Sequence, residues 1–244
     1  MGTFSLIGFG AFVGVSCIVG IRLLLLARRT RRFEELSLGL TLFCVGALSY
    51  PLLIASPFVR PRSPEVCHAL IVGGVVTGAL GTGALFFFVW QTFRPTAAWA
   101  GAVFGAAACS LTLAAVAVIL SPVAPPDAPR ALMLPIFCGS MGPALLGFGW
   151  SAFESFRYHA LLRKRVVIGL AEPEIAHRFL LWGCAATAAM LCAAISIANR
   201  ALVERGVHPA ALLSTSALGL VAAIALWLTF FPPHVYRRLL APAR

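Results

Sequence analysis

The sequence predicts an all-α membrane protein: a seven-transmembrane-helix bundle with its N-terminus outside and its C-terminus cytoplasmic. Three observations carry that expectation. The apolar residues fall into seven blocks of roughly 20–25 residues, and about 20 residues at 1.5 Å rise match a hydrocarbon core about 30 Å thick. The chain is 60% hydrophobic and only 11% charged, against about 25% charged in an ordinary soluble domain. Arginine collects in every second gap between the blocks. Hydrocarbon offers no partner to a backbone N–H or C=O, so each block must satisfy its own backbone as a helix.

The helices are expected at 4–27, 36–58, 67–90, 97–120, 132–156, 179–197 and 210–231. Residues 1–244 read as a single integral membrane domain, because the longest polar stretch, between Arg157 and Arg178, is too short for a core of its own. The first block starts at Phe4 with no basic segment before it. It is longer than the apolar region of a signal peptide, so it reads as a retained helix.

Counting Arg and Lys by side sets the orientation. Fourteen fall on one side, among them Arg28, Arg29, Arg31, Arg32, Arg94, Arg157, Arg163, Lys164, Arg165, Arg178, Arg237, Arg238 and Arg244, against five on the other: Arg60, Arg62, Arg130, Arg200 and Arg205. The richer side is expected to be cytoplasmic. The formal charge of +11 therefore reads as topology signal and attraction to anionic headgroups, with no nucleic-acid partner. Lys164 is the sole lysine beside eighteen arginines. That usage points to a bacterium with a GC-rich genome and hence to the cell inner membrane. Arg22, inside the first block, is expected to snorkel to the headgroups, with pairing to Glu34 or Glu35 as the alternative.

The seven cysteines lie in or beside apolar blocks without a CxxC pair, which suits packing rather than a disulfide framework. Small residues mark helix contacts. Gly10-x-x-x-Gly14 in the first helix and Gly74-x-x-x-Gly78 in the third allow close backbone approach, either inside the bundle or toward a protein partner or second copy. The alanine-rich sixth helix is expected to be buried. The fifth carries Pro135 and Pro143, so a kink near Pro143 is expected, with freed carbonyls as candidates to line a cavity.

The most polar stretch runs from Trp150 through Arg178, and the fifth helix is expected to continue beyond the membrane surface, since nothing breaks it before Val166. Glu154 and Arg157 share one helical face. An unpaired carboxylate near the interface is costly, so Glu154 is expected to pair with Arg157, Arg94 or Arg178. Pro173 suits a first helical position, Glu174 can pair with Arg178 four residues on, and Phe179 with Trp182 would anchor the interface. The binding or switch candidates are thus Glu154, Arg157, Arg94, Arg178, Trp182, Tyr236 and Pro143.

Two resemblances follow. Pro232-Pro-x-x-Tyr236 resembles the Asn-Pro-x-x-Tyr ending of the seventh helix in G-protein-coupled receptors, although the asparagine and the receptors' Asp/Glu-Arg-Tyr triplet are absent. In helix count, orientation and the aromatic-proline-Tyr-Arg ending at 230–237, the bundle resembles the seven-helix membrane sensor modules that precede bacterial histidine kinases and cyclases. That resemblance covers the bundle as a pattern and implies signalling handed to a separate partner.

Several chemistries lack their residues. A retinal Schiff base needs a lysine in the seventh helix. Haem needs histidines at membrane depth, whereas all five lie at helix ends or in loops. No HExxH or metal-ligand spacing is present. Neither a cofactor nor an enzymatic activity is expected. The leading reading is a receptor-like or sensor protein acting through partners at a basic cytoplasmic face, with an apolar or lipidic ligand. The alternatives are a small transporter or lipid-handling protein, or a structural subunit of a membrane complex.

Overall fold

The computed structural model describes residues 2–121, 130–202, 207–233 and 236. Seven helices are described: α1 (Thr3–Thr30), α2 (Phe33–Val59), α3 (Pro64–Phe93), α4 (Ala98–Leu120), α5 (Arg130–Val167), α6 (Pro173–Leu202) and α7 (Pro209–Phe230). Among the described residues there is no strand. Arg205, His234, Arg237, Arg238 and Arg244 lie outside them, as do the side chains of Arg130 and Pro135.

Among the described residues, α1–α4, α6 and α7 are each long and apolar enough to cross a membrane. Sequential helices pack as neighbours, α7 closes the ring on α1, and α3 also touches α5. Large apolar side chains such as Leu6, Leu80, Leu113, Leu146 and Phe153 point outward and are exposed. Exposed apolar surface on this scale suits lipid rather than water.

Local chemistry sets the helix ends. Ser63 caps α3, accepting from the Val66 N–H at 3.4 Å, and Pro64 follows at the first position. Arg31 closes α1 in the left-handed region (φ 55°) and donates its N–H to the Ala27 carbonyl at 2.8 Å. The 38 residues of α5 span about 57 Å, so its last turns project beyond any bilayer core. Gly169, at φ 72°, ends that projection.

Prolines inside these helices leave carbonyls that the structure satisfies locally. α5 runs unbroken through buried Pro143. The carbonyl four residues back, on Gly139, accepts from the Ser110 hydroxyl of α4 at 3.2 Å. It is therefore an interhelical contact and not a cavity lining. In α2, Pro57 frees the Leu53 carbonyl, and Ser56 donates to it at 2.9 Å. Ahead of Pro51 the solution differs: Leu42–Ser49 widens into a π-helix, which avoids the clash between the proline ring and the carbonyl of Ala47.

The wide turn of α2 fits a tight corner between α1 and α3. A side chain on Gly46 would collide with buried Ser16, and one on Gly81 would meet Val45 at 2.7 Å. Thr41 donates to the carbonyls of Ser37 at 2.8 Å and of Gly81 at 3.1 Å, joining α2 to α3. Gly74 and Gly78 face Leu53 and Ser49 of α2, so this pair serves packing within the bundle. Gly8 meets the backbone of Ser216 on α7, whereas Gly10 and Gly14 have no neighbouring atom within 4 Å of a built side chain. The alanines of α6 are buried as expected, Ala185, Ala186, Ala188 and Ala193 among them.

The proline–serine pair gives a test. Ser110→Ala strands the Gly139 carbonyl and is expected to lower stability by about 1 kcal/mol. In a Pro143→Ala background the new N–H supplies that bond, and the same serine substitution becomes nearly neutral. Thermal unfolding of the four variants in detergent measures the cycle; equal losses in both backgrounds would refute the pairing.

Candidate functional site

The helix ends that carry α1–α2, α3–α4 and α5–α6 connections, together with the end of α7, meet at the arginine-rich end of the bundle. Glu154, on α5, is only 3% exposed there. Its Oε1 accepts from Nε of Arg94, at the end of α3, at 2.7 Å. Its Oε2 accepts from Nη1 of Arg157, one turn along α5, at 3.3 Å. Both oxygens thus have cationic donors. The two arginines differ: the Arg94 side chain is 29% exposed and that of Arg157 49%. The Arg94 bond is shorter and better shielded, so it dominates.

Aromatic rings build the walls. The Arg94 guanidinium lies 5.9 Å from the Trp99 ring centroid, and Trp99 lies 5.5 Å from Trp150. Trp90 and Trp150 sit four residues before Arg94 and Glu154 respectively, one helical turn away on the same faces. Trp90 stacks on Phe104 at 5.5 Å. The indole N–H groups of Trp90 and Trp150 are buried without a protein acceptor. These three tryptophans were not read from the sequence as site residues. The available signal was a tryptophan one turn from each member of the ion pair.

The other candidates divide between two further arrangements. Arg178 pairs with Glu174 at 2.7 Å, as its spacing predicts, and not with Glu154. Tyr236 meets His177 Nδ1 at 2.9 Å. Partial burial raises the Tyr236 phenol above its ordinary value, and the imidazole tautomer sets which of the two groups donates. His159 donates from Nδ1 to the Ala176 carbonyl at 2.7 Å, tying the end of α5 to the start of α6. Phe93, Tyr158 and Phe179 join these groups to the glutamate cluster, with ring separations of 4.7–6.2 Å.

One expectation needs correction. Trp182 is no interfacial anchor: it is 7% exposed in the core, packs edge-on to Phe88 and donates Nε1–H to Ser151 Oγ at 3.0 Å. Its position on the inward face of α6 outweighs the aromatic preference for headgroups. Arg22 is exposed and pairs with neither Glu34 nor Glu35, the alternative the sequence offered. Its Nη1 donates to the Phe230 carbonyl at 3.1 Å and its guanidinium covers the Phe231 ring at 4.4 Å, capping the end of α7. Pro143 lies away from the glutamate cluster, against α4. Among the described residues no group of three metal-ligating side chains forms.

Fold and site together define a multi-pass α-helical protein whose apolar helices converge on a buried ionic cluster. Comparison with family models, curated proteins and solved structures finds no match.

The unequal arginines set a quantitative expectation. Arg94→Gln and Glu154→Gln each leave a shielded charge without its partner and are expected to lower stability by about 2–4 kcal/mol. Arg157→Gln is expected to lower it by less than about 1 kcal/mol. A double-mutant cycle between Glu154 and Arg94, read from denaturation in micelles, should give a coupling of about 1–3 kcal/mol. Equal effects at the two arginines would contradict the asymmetry.

Proposed function

We propose that this chain is a bacterial inner-membrane sensor of receptor-like type. All seven helices cross the bilayer, with the N-terminus outside and the C-terminus cytoplasmic, and the basic face signals to a separate protein. The observation that carries this reading is where Glu154 stands. It lies at the root of the α5 projection and is bonded to the end of α3. A shift of α3 against α5 strains that bond and moves the projecting turns.

Those turns end in Arg163, Lys164 and Arg165, all exposed, a surface complementary to an acidic partner. The Arg count across the loops supports the orientation. Transport has less support. The central cavity, lined in part by Phe12, Val45, Phe148 and Leu226, holds about 30 Å³, room for roughly one water-sized molecule. Assembly into a larger complex would use the free face around Gly10 and Gly14 on α1.

Photocrosslinkers at positions 163 and 165 in native membranes test the proposal. The expected result is one protein adduct of defined mass whose yield changes severalfold with Glu154→Gln. Adducts to lipid alone, or a protein adduct indifferent to Glu154, would overturn it.

A further inference from the structure

Away from the ionic cluster, α2, α3 and α4 enclose a groove of about 460 Å³ on the outer surface of the bundle. That is the volume range of a small-molecule site, yet its chemistry is entirely apolar. The floor is α3, where Ala79, Gly83 and Ala84 leave room; a side chain built on Gly83 meets nothing within 4 Å. Two lining residues carry hydroxyls, and both already donate within their own helices: Ser37 to the Phe33 carbonyl at 2.7 Å, and Thr112 to that of Ala108 at 2.8 Å. Neither hydroxyl is therefore left as a donor for a polar ligand.

Its length and ends are informative. Along α3 the lining runs from Val76 to Phe87, about 16 Å at 1.5 Å per residue, close to half the thickness of a hydrocarbon core. At the arginine-rich end aromatic rings flank it, with Phe87 set edge-on to Phe33 at 5.9 Å and tilted against Phe104 at 5.9 Å. Immediately beyond Phe33 stand Arg32 and Arg31, with Arg29 and Arg28 behind them, all exposed. The nearest acids are Glu34 and Glu35, and Glu35 is bonded to Thr30. Four arginines against two glutamates leave this mouth positive.

We infer that the groove seats one acyl chain of an anionic phospholipid drawn from the leaflet at the arginine-rich end, with Arg31 and Arg32 at its phosphate. Half-bilayer length, an apolar lining without free hydroxyls and a cationic mouth together match that molecule. A second copy of the chain fits less well, because a two-fold contact across this groove would bring the two arginine loops together. The inference needs only membrane embedding, so it stands or falls separately from the sensor reading.

Native mass spectrometry of the intact protein, supplied with dioleoyl phosphatidylglycerol or dioleoyl phosphatidylcholine, tests it. One phosphatidylglycerol should be retained about tenfold more tightly than phosphatidylcholine, whose choline cation cancels the phosphate charge that the arginines would meet. Gly83→Leu fills the groove and should abolish that retained lipid. Arg31→Gln with Arg32→Gln, on the surface and neutral to folding, should erase the headgroup preference. Equal retention of the two lipids by the unaltered protein, persistence of the bound lipid in Gly83→Leu, or a dimer that Gly83→Leu dissociates would each overturn the assignment.

Discussion

A carboxylate among membrane helices has no water to stabilise it, so its counter-charges must be supplied by the protein at fixed distance. Glu154 imposes that requirement on the whole arginine-rich end. It draws the end of α3 to α5 through Arg94 at 2.7 Å and takes Arg157 as a weaker second donor from its own helix. Trp99 and Trp150 then close over the pair and lower the local dielectric, which strengthens the bond and raises the cost of breaking it. The α5 projection begins where this junction holds it. Removing the glutamate would leave the projection attached mainly through His159, Trp182 and the rings of Phe93, Tyr158 and Phe179.

Elsewhere the same solvent acts on the backbone. Every carbonyl freed by a proline needs a donor, and serine hydroxyls at positions 110 and 56 provide two. Where no hydroxyl is placed, α2 changes its winding over Leu42–Ser49 instead. Glycine at 46 and 81 then lets the widened turn sit against its neighbours. The central cavity is correspondingly small, while the larger opening faces outward onto lipid.

Much of this was legible in the sequence because it rests on local rules. Apolar blocks place the ends of five helices within three residues, whereas α5 and α6 run on past their apolar blocks into the polar stretch between them, and the spacing of Glu174 and Arg178 gives their pair. Glu154 stands out as an acid in an apolar stretch that needs a cation. Less legible was anything decided between distant segments. Arg94 and Glu154 are 60 residues apart, and Arg94 was one of three candidates until α3 was set beside α5. Periodicity shows which face a residue occupies but not which helix meets that face, so the sequence points Trp182 to the interface and does not show the contact of Arg22 with the end of α7. The π-helical turn was hidden because its winding answers both to Pro51 and to the packing of Ser16 and Gly81.

The central claim is that Glu154 fixes the end of α3 to the root of α5. Spin labels at the exposed positions Thr92 and Ala160, in a background without the native cysteines, report that separation by pulsed electron resonance. A single narrow distance distribution is expected, broadening or lengthening when Glu154 is replaced by alanine. An unchanged narrow distribution after that replacement would contradict the account.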